Sequence, residues 1–156
     1  MKMLRTLFAL FFTMAAVAAD KPKSYDEAAD AKVQIQQALT EAASNQIPII
    51  VVFGANWCPD CLMLETAMKT GSSAPLLAKD FKIVKIDVGH FDKNLDIGKA
   101  YGVPISNGIP ALVIVSPKNE VLYATKAGEL SKARKMGEDG IYEFFKRVTG
   151  ESVGKK

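Results

Sequence analysis

Hydrophobic side chains follow two different periods along the chain and so predict alternating helices and strands. From Ser24 to Gln46, small and aliphatic residues recur every three or four positions, as in an amphipathic helix. Ser24 and Glu27 match a capping box at the start of this helix. From Ile47 to Phe53 the apolar run is continuous and rich in β-branched residues, which predicts a buried strand covered on both faces.

The same two periods continue to the C-terminal end. Further helices are predicted over 58–69, 94–101 and 140–149, a second buried strand over 81–88, and two more strands over 111–115 and 121–124. The last two strands form a hairpin, whereas the first two require a helical crossover and are therefore parallel. The pattern predicts one α/β domain, with three α/β/α layers around a mixed central β-sheet.

The first 19 residues have the features of an export signal. Lys2 and Arg5 form a positive start, an apolar stretch follows, and small residues lead up to Ala19. The stretch from Leu7 to Ala19 has 13 residues, fewer than the roughly 20 that span a bilayer, which favours a cleaved signal over a retained anchor. We expect a signal peptide at 1–19, a mature domain at 20–156, and export to the periplasm of a Gram-negative bacterium.

Composition and charge narrow the classes of function. Of the 156 residues, 49% are hydrophobic and 24% are charged, which is a globular profile rather than a disordered one. The net charge of +3 is small, and loss of the signal peptide would bring it to +1. A charge this balanced does not indicate a nucleic-acid partner.

The only two cysteines, Cys58 and Cys61, enclose too short a loop to serve mainly as a structural staple. The chain-entropy model gives such a loop about 1.9 kcal/mol, against about 3 kcal/mol for a loop of 15 residues. The pair follows a predicted strand and opens a predicted helix, where Pro59 suits the first turn. Free amides at a helix start stabilise a thiolate, the species that attacks disulfides. We predict Cys58 as the exposed nucleophile and Cys61, one turn deeper, as the resolving thiol.

Several motifs resemble the thioredoxin superfamily. The stretch VVFGANWCPDC at 51–61 is similar to its active-site segment, and GIPAL at 108–112 to its cis-proline loop. The residues at 85–88 and 101–103 resemble its second core strand and the end of its middle helix. The resemblance covers about residues 25–148 and implies a thioredoxin fold.

The resemblance also implies roles for residues at the site. Pro110 should follow a cis peptide bond and face the cysteines, and the backbone of Ile109 should pair with a substrate strand. The activity implied is thiol–disulfide exchange with disulfide-containing partner proteins, without a cofactor, and a reductant outside the cytoplasm would draw electrons from a membrane-embedded donor. Trp57 is an aromatic placed to pack against or shield the sulfurs.

The sequence departs from the family pattern at several positions. Val52 stands where members often carry a buried acid. Lys85 matches a lysine that often accompanies that acid, and it is interpreted as a surface charge at a strand edge, with a cation near the thiolate as the alternative. The segments 104–107 and 131–140 are longer than in compact members, and we expect them to influence partner choice.

Asp60 favours one direction of electron flow. A carboxylate suits a helix start, but two residues from Cys58 it disfavours a second negative charge. A less stable thiolate makes the pair more reducing, so a reductant is expected. The alternatives are a disulfide oxidant or isomerase, and a metal-handling module on the same scaffold. A metal site is not expected, because Cys58, Cys61 and the single histidine, His90, lack an obvious fourth ligand.

Overall fold

The computed structural model describes residues 23–153, so the predicted signal peptide at 1–19 lies outside the described residues. Over that described range no helix combines the length and the apolar character needed to cross a membrane. In chain order the elements are α1 Ala31–Asn45, β1 Ile49–Gly54, α2 Pro59–Lys69, α3 Ser73–Ala78, β2 Lys82–Asp87, α4 Leu95–Ala100, a 3-10 turn Ile105–Asn107, β3 Ala111–Val115, β4 Val121–Ala124 and α5 Ala133–Val153.

The strands form a mixed sheet in the order β2-β1-β3-β4. β1 pairs parallel with β2 and antiparallel with β3, and β3 and β4 form an antiparallel hairpin. The predicted mixed sheet and its hairpin are confirmed. The prediction that the second strand is buried is wrong over the first four residues of β2, 82–85, which are half-buried. Among residues 23–153, β2 lies at the edge of the sheet and has a neighbouring strand on one side only.

β1 divides the hydrophobic core into two halves, as the alternation of side chains along a strand requires. Its residues 49, 51 and 53 lie in the half that also holds buried residues of α1 and α4. Residues 50 and 52 lie in the other half, with buried residues of α2, α3 and α5. The three-layer α/β/α arrangement is therefore confirmed, and β1 leads from its centre directly to the cysteines.

The start of α1 differs from the prediction. The helix begins at Ala31, and the Asp30 side chain caps it by accepting hydrogen bonds from the backbone of Lys32 and Val33 at 2.9 and 3.2 Å. The capping box predicted at Ser24 is wrong, because residues 24–29 form bends and turns rather than helix. This segment is held instead by Tyr25, which is fully buried.

Two helical regions were not predicted. α3, at Ser73–Ala78, has six residues, and it begins within the stretch Gly71-Ser72-Ser73, whose composition suggests a loop. α5 begins at Ala133 rather than near residue 140, and Gly137 interrupts it with a φ of 67°. The segment 131–140, expected to be an inserted loop, is therefore mostly helical, and its break at Gly137 concealed the helical period.

Candidate active site

The two cysteines lie at the first turn of α2, directly after the loop that leaves β1. Cys58 is the N-cap residue, Pro59 takes the first helical position, and Cys61 follows one turn later. The two sulfurs form a disulfide with a Cα–Cα distance of 5.2 Å. The backbone N–H of Cys61 donates to the sulfur of Cys58 at 3.2 Å. This free amide of the helix start is the kind of donor that stabilises a thiolate.

Both cysteines are buried in the disulfide form. Cys58 is 4% exposed and Cys61 is 0% exposed. The prediction of an exposed Cys58 is therefore wrong for this form, although Cys61 is the deeper of the two. The sulfur of Cys58 is bonded to Cys61 and lies 3.7 Å from the carbonyl oxygen of Ile109.

The loop before β3 reaches the cysteines from a distant part of the chain. The Ile109–Pro110 peptide bond is cis, and both residues are buried. The carbonyl of Ile109 lies beside the Cys58 sulfur, next to the sulfur that would attack a substrate. The structure thus brings together the two segments that the sequence selected about fifty residues apart. The pairing of the Ile109 backbone with a substrate strand stays a prediction.

Trp57, next to Cys58 in sequence, forms part of an exposed aromatic surface. Its side chain is 46% exposed, and its indole N–H donates to the carbonyl of Gly89 at 2.8 Å. The ring stacks on His90 with centroids 5.1 Å apart, and Phe91 lies at 6.0 Å. Trp57 is therefore held in place beside Cys58 while one side remains available to a partner.

Asp60 has a partner that the sequence analysis missed. One carboxylate oxygen accepts the backbone N–H of Arg134 at 2.9 Å, and the other accepts its guanidinium at 3.2 Å. Burial opposes ionisation, but the hydrogen bonds and charge of Arg134 lower the pKa of Asp60. Asp60 is therefore a carboxylate near neutral pH, and Arg134 of α5 forms an ion pair with it.

A buried acid that sequence reasoning did not select lies on the inner side of α2. Glu65 is 8% exposed and accepts Lys85 at 2.6 Å and Lys69 at 2.5 Å. Burial alone would raise its pKa, but these hydrogen bonds lower the pKa of Glu65 to about 2. The interpretation of Lys85 as a surface charge is wrong, because its ammonium pairs with this buried carboxylate and lies 5.8 Å from the ring of Tyr25.

Tyr25 lies behind Cys61. A Cβ atom placed on Gly54 would come within 3.0 Å of both the phenol end of Tyr25 and the sulfur of Cys61, so the two side chains share this space. Burial first, and then the charges of Glu65 and Asp87, raise the pKa of Tyr25 well above its usual value. The phenol is therefore neutral near neutral pH.

The Glu65 pair gives a prediction about acid stability. A carboxyl group whose pKa is lower in the folded state stabilises that state above its ordinary pKa of 4.5, and the gain is lost as the pH falls toward about 2. We expect Glu65→Gln to reduce the free energy of unfolding by about 2 kcal/mol at pH 7, which is less than the full pKa shift implies because Lys69 is exposed to solvent and its charge is screened.

Urea denaturation of both proteins between pH 7 and pH 2 measures this difference. The difference in the free energy of unfolding between the two proteins should have its full size above about pH 4.5 and should shrink steadily below that pH. Glu143→Gln is the matched control, since Glu143 is 65% exposed and lies 3.7 Å from Lys146. A Glu65→Gln protein with the same stability difference at every pH would contradict the assigned cause.

Among residues 23–153, no group of three or more histidine, cysteine, aspartate or glutamate residues is arranged to hold a metal ion. His90 stacks on Trp57. The segment 104–107 forms a 3-10 turn around Ile105, which is buried.

A family model for thioredoxin-like proteins matches residues 30–117, which is more than half of the chain. The chain belongs to the thioredoxin-like family. Thioredoxin from Haemophilus influenzae is 34% identical over 91 residues, covering 58% of this chain and 76% of that thioredoxin. Thioredoxin from Acidithiobacillus ferridurans is 30% identical over 95 residues, covering 61% of this chain and 79% of that protein.

Solved structures extend the likeness beyond the matched segment. A crystal structure described as a disulphide isomerase from Xylella fastidiosa Temecula1 is 48% identical, with a TM-score of 0.78, covering 82% of this chain and 98% of that one. A thioredoxin from Thermus thermophilus shares the fold at a TM-score of 0.52 and 21% identity, covering 74% of this chain and 81% of that one. With its paired cysteines, the thioredoxin-like chain is a thiol–disulfide oxidoreductase.

Proposed function

We propose that this oxidoreductase is an exported reductant of disulfide bonds in partner proteins. The observation that carries the proposal is the ionised carboxylate of Asp60, at the second helical position of α2 and two residues from Cys58. A negative charge there disfavours the Cys58 thiolate, which makes the dithiol form less stable and the pair more reducing. Ile109 before the proline, which is similar to reducing members of the family, supports the same direction.

The proposed reaction has two exchange steps. The Cys58 thiolate attacks one sulfur of the partner's disulfide, so that a mixed disulfide forms and the partner's other sulfur leaves as a thiolate. The Cys61 thiolate then attacks the Cys58 sulfur, which closes the disulfide seen here and releases the second partner thiolate. The partner gains two electrons and the enzyme loses two, so each cycle needs a thiol donor to reduce the enzyme again.

A second candidate is disulfide isomerisation. The match to the Xylella fastidiosa protein described as a disulphide isomerase has 48% identity and covers 98% of that protein's chain. Isomerisation uses the same attack by Cys58, but the mixed disulfide resolves within the substrate and no net electrons move. It too requires the enzyme to be held in the dithiol form.

Export and a membrane-embedded electron donor are parts of the same proposal. The positive start, apolar stretch and small residues at 1–19 support export. A reductant outside the cytoplasm cannot draw directly on cytoplasmic thiols, so its electrons must cross the membrane. Expression of the full chain in a Gram-negative bacterium should yield a periplasmic product that starts at Asp20, and a product that keeps Met1 by intact mass would contradict export.

The direction of electron flow is tested on the processed protein. We expect equilibration with glutathione to give a potential near that of thioredoxin, about −270 mV, rather than about −120 mV as in a strong oxidant. Insulin should be reduced when a dithiol is supplied. A potential near −120 mV would contradict the reductant, and efficient refolding of scrambled ribonuclease with weak insulin reduction would favour the isomerase.

A further inference from the structure

Arg134 reaches the redox centre from a part of the chain that the exchange mechanism does not use. It lies in the first turn of α5, within the segment 131–140, and it is 74 residues from Asp60 in sequence. The carboxylate of Asp60 is only 16% exposed, whereas the Arg134 side chain is 61% exposed. The acid is thus fixed between two helices, and the cation covers it from the solvent side.

The two hydrogen bonds between these residues have different origins. One comes from the Arg134 backbone N–H, which any residue except proline would supply, and the other from its guanidinium. Together they occupy both carboxylate oxygens and hold the carboxylate toward α5. The guanidinium is the specific part, since it alone brings a positive charge.

We propose that Arg134 is a positioning residue for the redox pair, which holds the Asp60 carboxylate against α5 and so limits its repulsion of the Cys58 thiolate. The negative charge of Asp60 favours the disulfide form of the pair over the dithiol form, and Arg134 reduces this effect. Through Arg134, the segment 131–140 therefore contributes to the redox balance of the site. This role rests on the thiol–disulfide chemistry and not on the direction of electron flow.

The charges around the site agree with this role. On α2, Asp60 and the two cysteines share the first turn. From α5, Arg134 contacts the carboxylate, and the charge of Lys135 also acts on it. From the loop before β3, the carbonyl of Ile109 lies 3.7 Å from the sulfur of Cys58. Arg134 is thus the only cation bonded to Asp60 in the described part of the chain.

A substitution can remove the charge and leave the helix contact in place. Arg134→Met keeps the backbone hydrogen bond to Asp60 and loses only the guanidinium. We expect the pKa of the Cys58 thiol to rise, and the glutathione equilibrium to shift about threefold toward the enzyme disulfide, which is about 14 mV more reducing. Arg134→Lys, which keeps the charge, should stay near the native value. Lys132→Met, which removes a charge two residues away, is the matched control.

The decisive measurement repeats the substitution in an Asp60→Asn background. If Arg134 acts by positioning the carboxylate, Arg134→Met should shift the Cys58 pKa and the glutathione equilibrium much less when the carboxylate is absent. Equal shifts in both backgrounds would overturn the proposal in favour of a direct effect of the guanidinium on the sulfur. An altered melting temperature with no shift in either redox quantity would overturn it in favour of a purely structural contact. The expected direction of both shifts is the same whether the protein is a reductant, an oxidant or an isomerase. A negative result for Arg134 would therefore leave the proposed function standing.

Discussion

Replacing Cys58 with serine is expected to lower the rate of disulfide reduction by several orders of magnitude while the fold survives. Cys58 is the N-cap of α2, where serine is a preferred residue, so its oxygen can accept the Cys61 N–H that the sulfur accepts now. A hydroxyl at this position is not ionised near neutral pH and cannot attack a disulfide as a thiolate does. Insulin reduction measures the loss, and circular dichroism checks the fold.

The companion variant Cys61→Ser should behave differently. Cys58 can still attack, but nothing resolves the product, so a mixed disulfide with the substrate should accumulate and be visible by mass spectrometry after acid quenching. The double variant without both thiols is the control for adventitious adducts. If Cys58→Ser rather than Cys61→Ser formed the stable adduct, the roles assigned to the two cysteines would be reversed.

The centre of this site could be predicted from the sequence because its determinants are local. The pair Cys58 and Cys61 lies within one helical turn, and the buried run before it predicts the strand that positions that turn. The sheet followed from the same kind of pattern, since both strands of the hairpin have the predicted bounds, 111–115 and 121–124.

The surroundings of the pair could not be predicted, because they depend on contacts between distant segments. Arg134 meets Asp60 across 74 positions, and Lys85 meets Glu65 across 20. Neither partner carries a local signal that separates it from an ordinary surface charge. For this reason the sequence analysis weighs the charge of Asp60 without the cation that pairs with it in the structure.

The second largest effect is expected at Gly54, the last residue of β1. From the sequence this glycine only marks the end of an apolar run, but in the structure it makes room for two side chains. A Cβ atom here would lie 2.6 Å from Cζ of Tyr25 and 3.0 Å from the sulfur of Cys61. The ring of Tyr25 is rigid and fully buried, and a disulfide holds Cys61. Neither neighbour can yield by a simple rotamer change.

Gly54→Ala should therefore destabilise the protein by about 3 kcal/mol, the upper part of the range for overpacked cores, and lower its melting temperature by about 10 °C. Gly150→Ala is the matched control: a Cβ there meets nothing within 4 Å, and alanine favours a helix, so a slight gain is expected. Thermal unfolding of the disulfide forms gives both values. Gly54→Ala with native stability would show that Tyr25 moves aside freely, which would contradict the tight packing assigned to it behind Cys61.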